Sequence, residues 1–467
     1  MLQESFFKDK RVTVFGLGLN MGGIGTVKFL VEHGAREIVV TDIKSREELG
    51  GSLEKLAKYK NVTYVLGQHR PEDFTHTDMV IKNPVIPWTN EYIQLAEKHR
   101  VPVEMDSSIF FALCKAPIIG VTGTKGKTTT ATLIAHILEK AGKRVVRVGI
   151  GQVSVLGMLG KITPDSIAVF ELSSWRLSAL GRLRKSPHIA VLTNIYPDHL
   201  NYYKTMEAYA ADKKNIFLFQ KQKDVLIANF DDAEVRALAQ DAQGALIWFS
   251  RDTKIDGDGV WMEDGKICMR KQGETKEMVP LARIPLKGEH NTANVLAAVA
   301  TTLAYGLAPK QIASGIMSFA GIQYRLERTG EKNGVQYYND TTATIPEAAI
   351  AALRSFTEPV ILIAGGNDKR LEFDALAKEI LKRSKGLVLL KGTATEKLLA
   401  ALKTHLPEGQ KTRPFEVVET MAKAVELAAR GAEPGDVVLL SPGATSFGLF
   451  KNEFDRGEQF RKAVEEL

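Results

Sequence analysis

The sequence predicts an α/β fold of three consecutive domains, each built mainly on a parallel sheet. Three observations carry that prediction. Short continuous apolar runs of strand length alternate with stretches of helical periodicity along most of the chain. Glycine-rich turns stand directly after several of those runs, where open parallel sheets place their binding loops. The alternation restarts near residue 111 and again near 322, giving blocks 1–110, 111–321 and 322–467. Strand–helix–strand order of this kind means parallel pairing with both sheet faces covered.

The first block opens with RVTVFGLGLN (11–20), a buried-type strand running into a Gly-rich turn; helical TVKFLVEHG and the strand EIVVTD complete a βαβ unit. TDMVIKNPVIP repeats the strand-then-loop theme, and VPVEMDSSIFF closes the block near residue 110. The second block starts at the apolar stretch 117–121, followed by GTKGKTTTATLIAHIL, and continues through the strands SIAVFELSS and IAVLTNIYPDH. WMEDGKICMRK reads as a hairpin turning on Asp264-Gly265. In the third block VQYYND, PVILIAGG, GLVLLKG and DVVLLSPG alternate with helical stretches such as EAAIAALRSF.

Composition narrows the class. The chain has 467 residues, 44% of them apolar, enough for several independent cores. Its two cysteines, Cys114 and Cys268, lie far apart without metal-type spacing, which argues against a disulfide framework and a zinc site. The opening MLQESFFKDKR has no basic-then-apolar signal pattern, and no apolar run reaches about 18 residues. A soluble, cytoplasmic, monomeric protein without membrane insertion is expected. The net charge of +7 suits a lysine-rich surface that draws in small anions. No basic arm with interleaved aromatics suggests nucleic acid.

The segment Gly123-Thr124-Lys125-Gly126-Lys127-Thr128-Thr129 reads as an ATP site. Its Gly-Lys-Thr ending is that of a phosphate-binding loop, although Gly120 misses the usual spacing by one residue. The glycines let backbone N–H groups curl toward phosphate oxygens, and the following helix adds its positive end. Lys127 would reach the β- and γ-phosphates, and the Thr128 hydroxyl would bind Mg²⁺. Downstream, Glu171 stands at one strand end as a potential Mg²⁺ ligand, and Asn194, Asp198 and His199 follow another strand.

GTKGKTT, ELSSWRL, TNIYPDHLNYY, YAADKKNIF, GEHNTANVLAA and QYRLERTG…YYNDTTATIPEA occur in the order found in the Mur ligases, and the chain resembles that family across all three blocks. The resemblance implies an N-terminal Rossmann-like domain for a UDP-linked substrate, a central P-loop-type ATPase domain, and a C-terminal Rossmann-like domain for the incoming amino acid. It also implies amide formation through an acyl phosphate, with ATP and two Mg²⁺ ions. The tail LLSPGATSFGLFKNEFDRGEQFR and the opening VTVFGLGL are most similar to members that add D-glutamate to UDP-N-acetylmuramoyl-L-alanine.

By motif position, the resemblance assigns Thr128 and Glu171 to one Mg²⁺, and His199 to the second metal and the substrate carboxylate. Asn291, Asn294, Arg325 and Asp340 fall to ATP. A carbamylated lysine, a CO₂ adduct acting as an anionic ligand, falls to Lys213 rather than Lys214: Lys213 is in register with Ile216 and lies four residues after Tyr209, on the same helical face. The UDP-sugar is expected to meet Leu19, Asn20, Asp42, Gln152 and Ser173; the amino acid is expected to meet Thr344, Lys369, Ser446 and an aromatic, Phe447 or Phe454.

Several positions depart from the family pattern. Met21 breaks G-x-G-x-x-G, which disfavours a dinucleotide. Gln152 replaces an asparagine, Tyr324 stands where histidine is usual, Thr342 stands where lysine is common, and Phe454 is displaced by one position. These changes surround the two substrates, whereas the ATP motifs stand. A sister ligase with another acceptor, and a non-catalytic nucleotide binder, are the rival readings; the latter would be expected to lose Glu171, His199 or Lys213.

Overall fold

The computed structural model describes residues 3–19, 21–151, 153–369, 371–406 and 415–467. Its contacts divide the chain into two compact units, Met1–Arg283 with Ala293–Ser318, and Ile284–Thr292 with Phe319–Leu467.

The first unit carries two sheets. One is five-stranded and wholly parallel, with strands β1 (Arg11–Phe15), β2 (Glu37–Asp42), β3 (Val62–Leu66), β4 (Met79–Lys82) and β5 (Val103–Glu104) in the order β3-β2-β1-β4-β5. Strand order reverses at β1, so the loops after β1 and β4 open a crevice at the sheet's carboxyl edge. The helix Met21–Glu32 follows β1, and its glycines have packing reasons: a Cβ at Gly23 would overlap the Leu17 carbonyl, and one at Gly25 would overlap the Ser154 side chain.

The second sheet has nine strands: β6 (Ile118–Thr122), β7 (Arg144–Val148), β8 (Ser166–Glu171), β9 (Ile189–Leu192), β10 (Val225–Asn229), β11 (Ala245–Ser250), β12 (Gly259–Glu263), β13 (Lys266–Lys271) and β14 (Glu274–Pro280). Their order is β14-β13-β12-β11-β10-β9-β6-β8-β7. It is parallel through β12 and closes with antiparallel β13 and β14. The expected hairpin is there, with φ of 49° at Asp264 and 71° at Gly265, the left-handed pair that a two-residue turn requires.

Side chains tie these two sheets' surroundings together. Arg176 donates from Nε and Nη2 to the two carboxylate oxygens of Asp106 at 3.3 and 2.9 Å, and its carbonyl accepts from Ser107 Oγ at 3.1 Å. Trp88 Nε1 donates to Ser178 Oγ at 2.8 Å.

The second unit contains a six-stranded sheet, β15 (Glu327–Lys332), β16 (Val335–Asn339), β17 (Val360–Gly365), β18 (Ser384–Leu390), β19 (Glu416–Val418) and β20 (Val437–Leu440), ordered β15-β16-β20-β17-β18-β19. Only β15 runs antiparallel to its neighbour. The loops after β16, β20 and β17 therefore share one edge. Arg456 fastens two of them: its fully buried guanidinium donates to Thr341 Oγ1 at 3.0 Å, the Thr341 carbonyl at 2.8 Å and the Ala444 carbonyl at 3.2 Å. Across the described residues of both units, no helix is long and apolar enough to cross a membrane.

Arg456→Met should lower stability by about 2–5 kcal/mol, because it strands buried acceptors in both loops. Urea unfolding of the full chain followed by circular dichroism measures this; an unchanged midpoint would remove Arg456 as the fastener.

Candidate active site

The ATP-type corner is a loop forced into shape by what surrounds it. Gly123 has φ of 152° and Gly126 of 83°. A Cβ at Gly123 would overlap Thr193 Oγ1, and one at Gly126 would overlap Asn294 Oδ1. The segment after β9 holds the loop from outside. Thr124 N donates to the Asn194 carbonyl at 2.9 Å, Lys125 N to Asn194 Oδ1 at 2.8 Å, and Thr193 Oγ1 to the Lys125 carbonyl at 2.7 Å. Thr124 Oγ1 also lies 3.1 Å from Tyr209 Oη. Lys127, Thr128 and Thr129 form the first turn of the helix Lys127–Lys140, whose N-terminal N–H groups and dipole favour an anion.

Two lysines converge on one backbone oxygen. Lys127 Nζ donates to the Gly123 and Thr124 carbonyls at 3.0 and 2.9 Å, and Lys213 Nζ donates to the same Gly123 carbonyl at 2.8 Å. Lys213 is 1% exposed, and its ammonium lies 4.6 Å from the centroid of Tyr209, one helical turn earlier in Met206–Lys214. Burial, then the neighbouring Lys127 charge, hold the Lys213 pKa well below the ordinary lysine value. Lys214 takes another direction and pairs with Asp241.

His199 follows β9 with φ of 54°. Burial is the main cause lowering its pKa, and Lys127, Lys213 and Lys125 add to it against the pull of Asp198. A neutral imidazole is the form that ligates metal. Asp198 pairs with Lys125 at 3.3 Å; burial pushes the carboxyl up, but Lys125 and His199 hold it below its ordinary value overall. Glu171 ends β8 and, like Thr128, is half-buried. No three His, Cys, Asp or Glu side chains gather as a ready-made metal site among the described residues. A hydroxyl, a carboxylate and an imidazole do fit a hard divalent cation that completes its shell from phosphate oxygens and water.

Asn294 is buried, with its Oδ1 accepting from Thr130 Oγ1 at 3.3 Å. Asn291 donates from Nδ2 to the Lys287 carbonyl at 2.7 Å and belongs to the second unit.

Beside this corner, within the first unit, lies a cavity of about 510 Å³. Its walls include Leu19 from the β1 turn, Gly22 from the helix after it, Asn83 after β4, and Ser173, Trp175 and Arg176 after β8. Ser173 Oγ also accepts from Arg176 N at 3.3 Å, capping its helix. Asp42 supports the turn instead: its carboxylate accepts from Gly18 N and Lys44 N, both at 2.9 Å. Asn20 and Gln152 lie outside the described residues. Sequence reasoning passed over Trp175 and Arg176; their place in the helix turn directly after Ser173 was the available signal.

In the second unit, Asp340 follows β16. Its carboxylate accepts from Leu326 N at 3.1 Å and Ser441 Oγ at 2.8 Å, and burial pushes its pKa up to about 7 against Arg325 nearby. Thr344 follows β16, Lys369 follows β17 and is exposed, and Ser446 follows β20. Ser446 is buried, and its Oγ finds no hydrogen-bond partner among the described residues. The loops after β17 and β20 are joined by reciprocal Asn367–Thr445 backbone bonds, both 3.0 Å. Phe454 packs on Tyr324 with ring centroids 5.8 Å apart, whereas Phe447 is 61% exposed.

Comparison with known proteins decides the family. The Mur ligase MurD-like N-terminal domain matches residues 10–104, the Mur ligase middle domain 121–302, and the Mur ligase glutamate ligase domain 324–443. A UDP-N-acetylmuramoylalanine–D-glutamate ligase of Roseiflexus sp. is 42% identical, with 98% of each chain covered. The chain belongs to the Mur ligase family. A like-named ligase of Symbiobacterium thermophilum is 36% identical to this Mur ligase, again over 98% of each chain. Among solved structures, the UDP-N-acetylmuramate–alanine ligase of Thermotoga maritima superposes with a TM-score of 0.60, covering 98% of this chain and 99% of that one at 18% identity. That likeness supports the three-domain α/β fold.

Gly126→Ala should weaken binding of a non-hydrolysable ATP analogue at least about tenfold, since it places a Cβ against Asn294 at a left-handed φ. Calorimetry on variant protein with unchanged far-ultraviolet dichroism tests this; unchanged affinity would dissociate the loop from the nucleotide.

Proposed function

We propose that this Mur ligase joins D-glutamate to the carboxylate of UDP-N-acetylmuramoyl-L-alanine, driven by ATP and passing through an acyl phosphate, in cytoplasmic peptidoglycan precursor synthesis. The observation that carries the chemistry is the convergence of Lys127 and Lys213 on the Gly123 carbonyl at the start of a helix. The acceptor and donor substrates rest on the names of full-length relatives. Blocks 1–110, 111–321 and 322–467 would serve the UDP-sugar, ATP and the amino acid in turn.

A carboxylate becomes an acylating group only after its oxygen is made a leaving group. Both it and triphosphate are anions, so the site must first cancel their repulsion. Lys127 would turn from its loop carbonyls to the β- and γ-phosphates, while the N–H groups at the start of the helix Lys127–Lys140 would hold the remaining oxygens. Thr128 and Glu171 would hold one Mg²⁺ and His199 a second, and those ions would supply further charge neutralisation. Lys213, buried and biased toward its neutral amine, is suited to capture CO₂; the resulting carbamate would turn a cation into an anionic ligand beside His199. In the second unit, Arg325 and Asp340 are assigned to the nucleotide by motif. Lys369 is assigned to an acceptor carboxylate, with Thr344 and Ser446 as hydroxyl donors; the unpartnered buried Ser446 Oγ supports that role.

Lys127→Ala and Glu171→Ala should each lower turnover on the order of 10²–10³. Lys213→Ala should be inactive and partly restored by short carboxylic acids, with Lys214→Ala near normal. Phosphate release with ATP, Mg²⁺, UDP-N-acetylmuramoyl-L-alanine and D-glutamate is the assay; a dead Lys214 variant beside an active Lys213 variant would reverse the assignment.

Lys369→Met should raise the KM for D-glutamate at least about tenfold, since it removes an ionic contact. Lys385 is engaged by Glu433 and by Asp436 at 2.8 Å, at the opposite end of the sheet, so Lys385→Met should leave that KM alone. Scanning D-Glu, L-Glu and L-Ala as acceptors completes the test; a wild type preferring a neutral amino acid would refute the D-glutamate assignment.

A further inference from the structure

Trp175 presents a polar atom that the protein leaves unused. Its indole N–H, which can only donate, is buried and has no hydrogen-bond partner among the described residues. Orphaned buried donors are rare in folded proteins, so each calls for a cause. Tryptophan 175 also forms part of the wall of the 510 Å³ cavity, beside Ser173 and Arg176. Its ring centroid lies 4.7 Å from that of His199 and 5.8 Å from that of Tyr202.

The ring is held by its backbone. The Trp175 carbonyl accepts from Ser178 Oγ at 2.6 Å, and that oxygen accepts from Trp88 Nε1 at 2.8 Å. Trp88 is itself flanked by cations, with Lys82 Nζ 4.5 Å and the Arg182 guanidinium 4.2 Å from its ring centroid. Trp88 belongs to the loop that follows β4 and contributes Asn83, Pro84 and Val85 to the cavity. One relay thus links a cavity loop of the first sheet to the helix turn that bears Trp175.

We propose that Trp175 is a substrate-binding residue whose indole N–H donates to a carbonyl oxygen in the acylated-sugar stem of the UDP-linked substrate. The inference rests on the function proposed above. A diphosphate suits the start of the helix Met21–Glu32, where Gly22 and Gly23 line the cavity, and the reacting carboxylate belongs at His199. Trp175 borders both the cavity and His199, which places it along the stem between those ends. That stem is rich in amide carbonyls, acceptors that match a lone neutral donor. A tryptophan that only filled space would not need its nitrogen.

The test compares wild type with Trp175→Phe, which keeps an aromatic wall and removes the donor. Calorimetry should show binding of UDP-N-acetylmuramoyl-L-alanine weakened about tenfold, as for loss of one hydrogen bond, with UDP binding within about twofold of wild type. Unchanged affinity for the full substrate or equal weakening toward UDP would each overturn the assignment. A measurement on the wild type needs no variant fold: in ¹⁵N-indole spectra, identified by the resonance missing from Trp175→Phe or Trp175→Tyr, the Trp175 signal should shift with UDP-N-acetylmuramoyl-L-alanine and stay in place with UDP. A signal unmoved by the full substrate overturns the proposal. A wild type that neither binds nor consumes the full substrate defeats the ligase reading; one that does both while Trp175→Phe binds it equally well defeats only the Trp175 contact.

Discussion

Two ammonium groups within 3.0 Å of the single Gly123 carbonyl oxygen are the constraint around which the central site is organised. Like charges so placed raise each other's free energy, and burial adds to the penalty for the one that is sealed in. Lys213 is the sealed one, so it bears the shift toward the neutral amine. Lys127 stands on the first turn of the helix, where arriving phosphates can take over its contacts. The arrangement is therefore set for anions. Adding negative charge at Lys127, or converting Lys213 to an anion, relieves repulsion that the free protein carries.

That constraint explains the rigidity of its surroundings. Gly123 has a φ of 152° and no room for a Cβ against Thr193, and Thr193 and Asn194 brace the loop from β9. Tyr209 serves the corner twice, with its hydroxyl near Thr124 and its ring under the Lys213 ammonium. Burial, aided by the charges of Lys127, Lys213 and Lys125, biases the His199 imidazole toward its neutral form against the pull of Asp198.

What the sequence made legible were features encoded over a few residues. The strand–glycine–helix corner and the Asp264-Gly265 turn follow from local spacing, and helical period puts Lys213 on the face of Tyr209, where its ammonium meets that ring. Contacts between distant segments were not legible. Arg456 lies 115 positions from Thr341, and Trp88 lies 90 from Ser178; neither pairing leaves a local pattern. Asp42 shows a different limit. An acid at the end of β2 reads as a ligand, yet its oxygens are engaged by the N–H groups of Gly18 and Lys44, so it shapes the turn that the ligand would meet.

The departures in the second unit are the instructive case, because along the chain they look scattered and in space they touch. Thr342, standing where lysine is common, donates its hydroxyl to the Tyr324 carbonyl at 2.9 Å. Tyr324, standing where histidine is usual, has φ of 66° and packs its ring on the displaced Phe454. Gly457 completes the group, since a Cβ there would lie 2.6 Å from the Tyr324 ring. A larger ring at 324 needs a bare helix surface beneath it and an aromatic beside it, and both are supplied by the tail helix. A short hydroxyl at 342 then satisfies the carbonyl that the left-handed turn exposes. Thr342, Tyr324 and Phe454 thus form one contiguous group. Thr344 is tied to the same group, its N–H donating to the Thr342 carbonyl at 2.9 Å, so the rearranged contacts also brace the loop after β16.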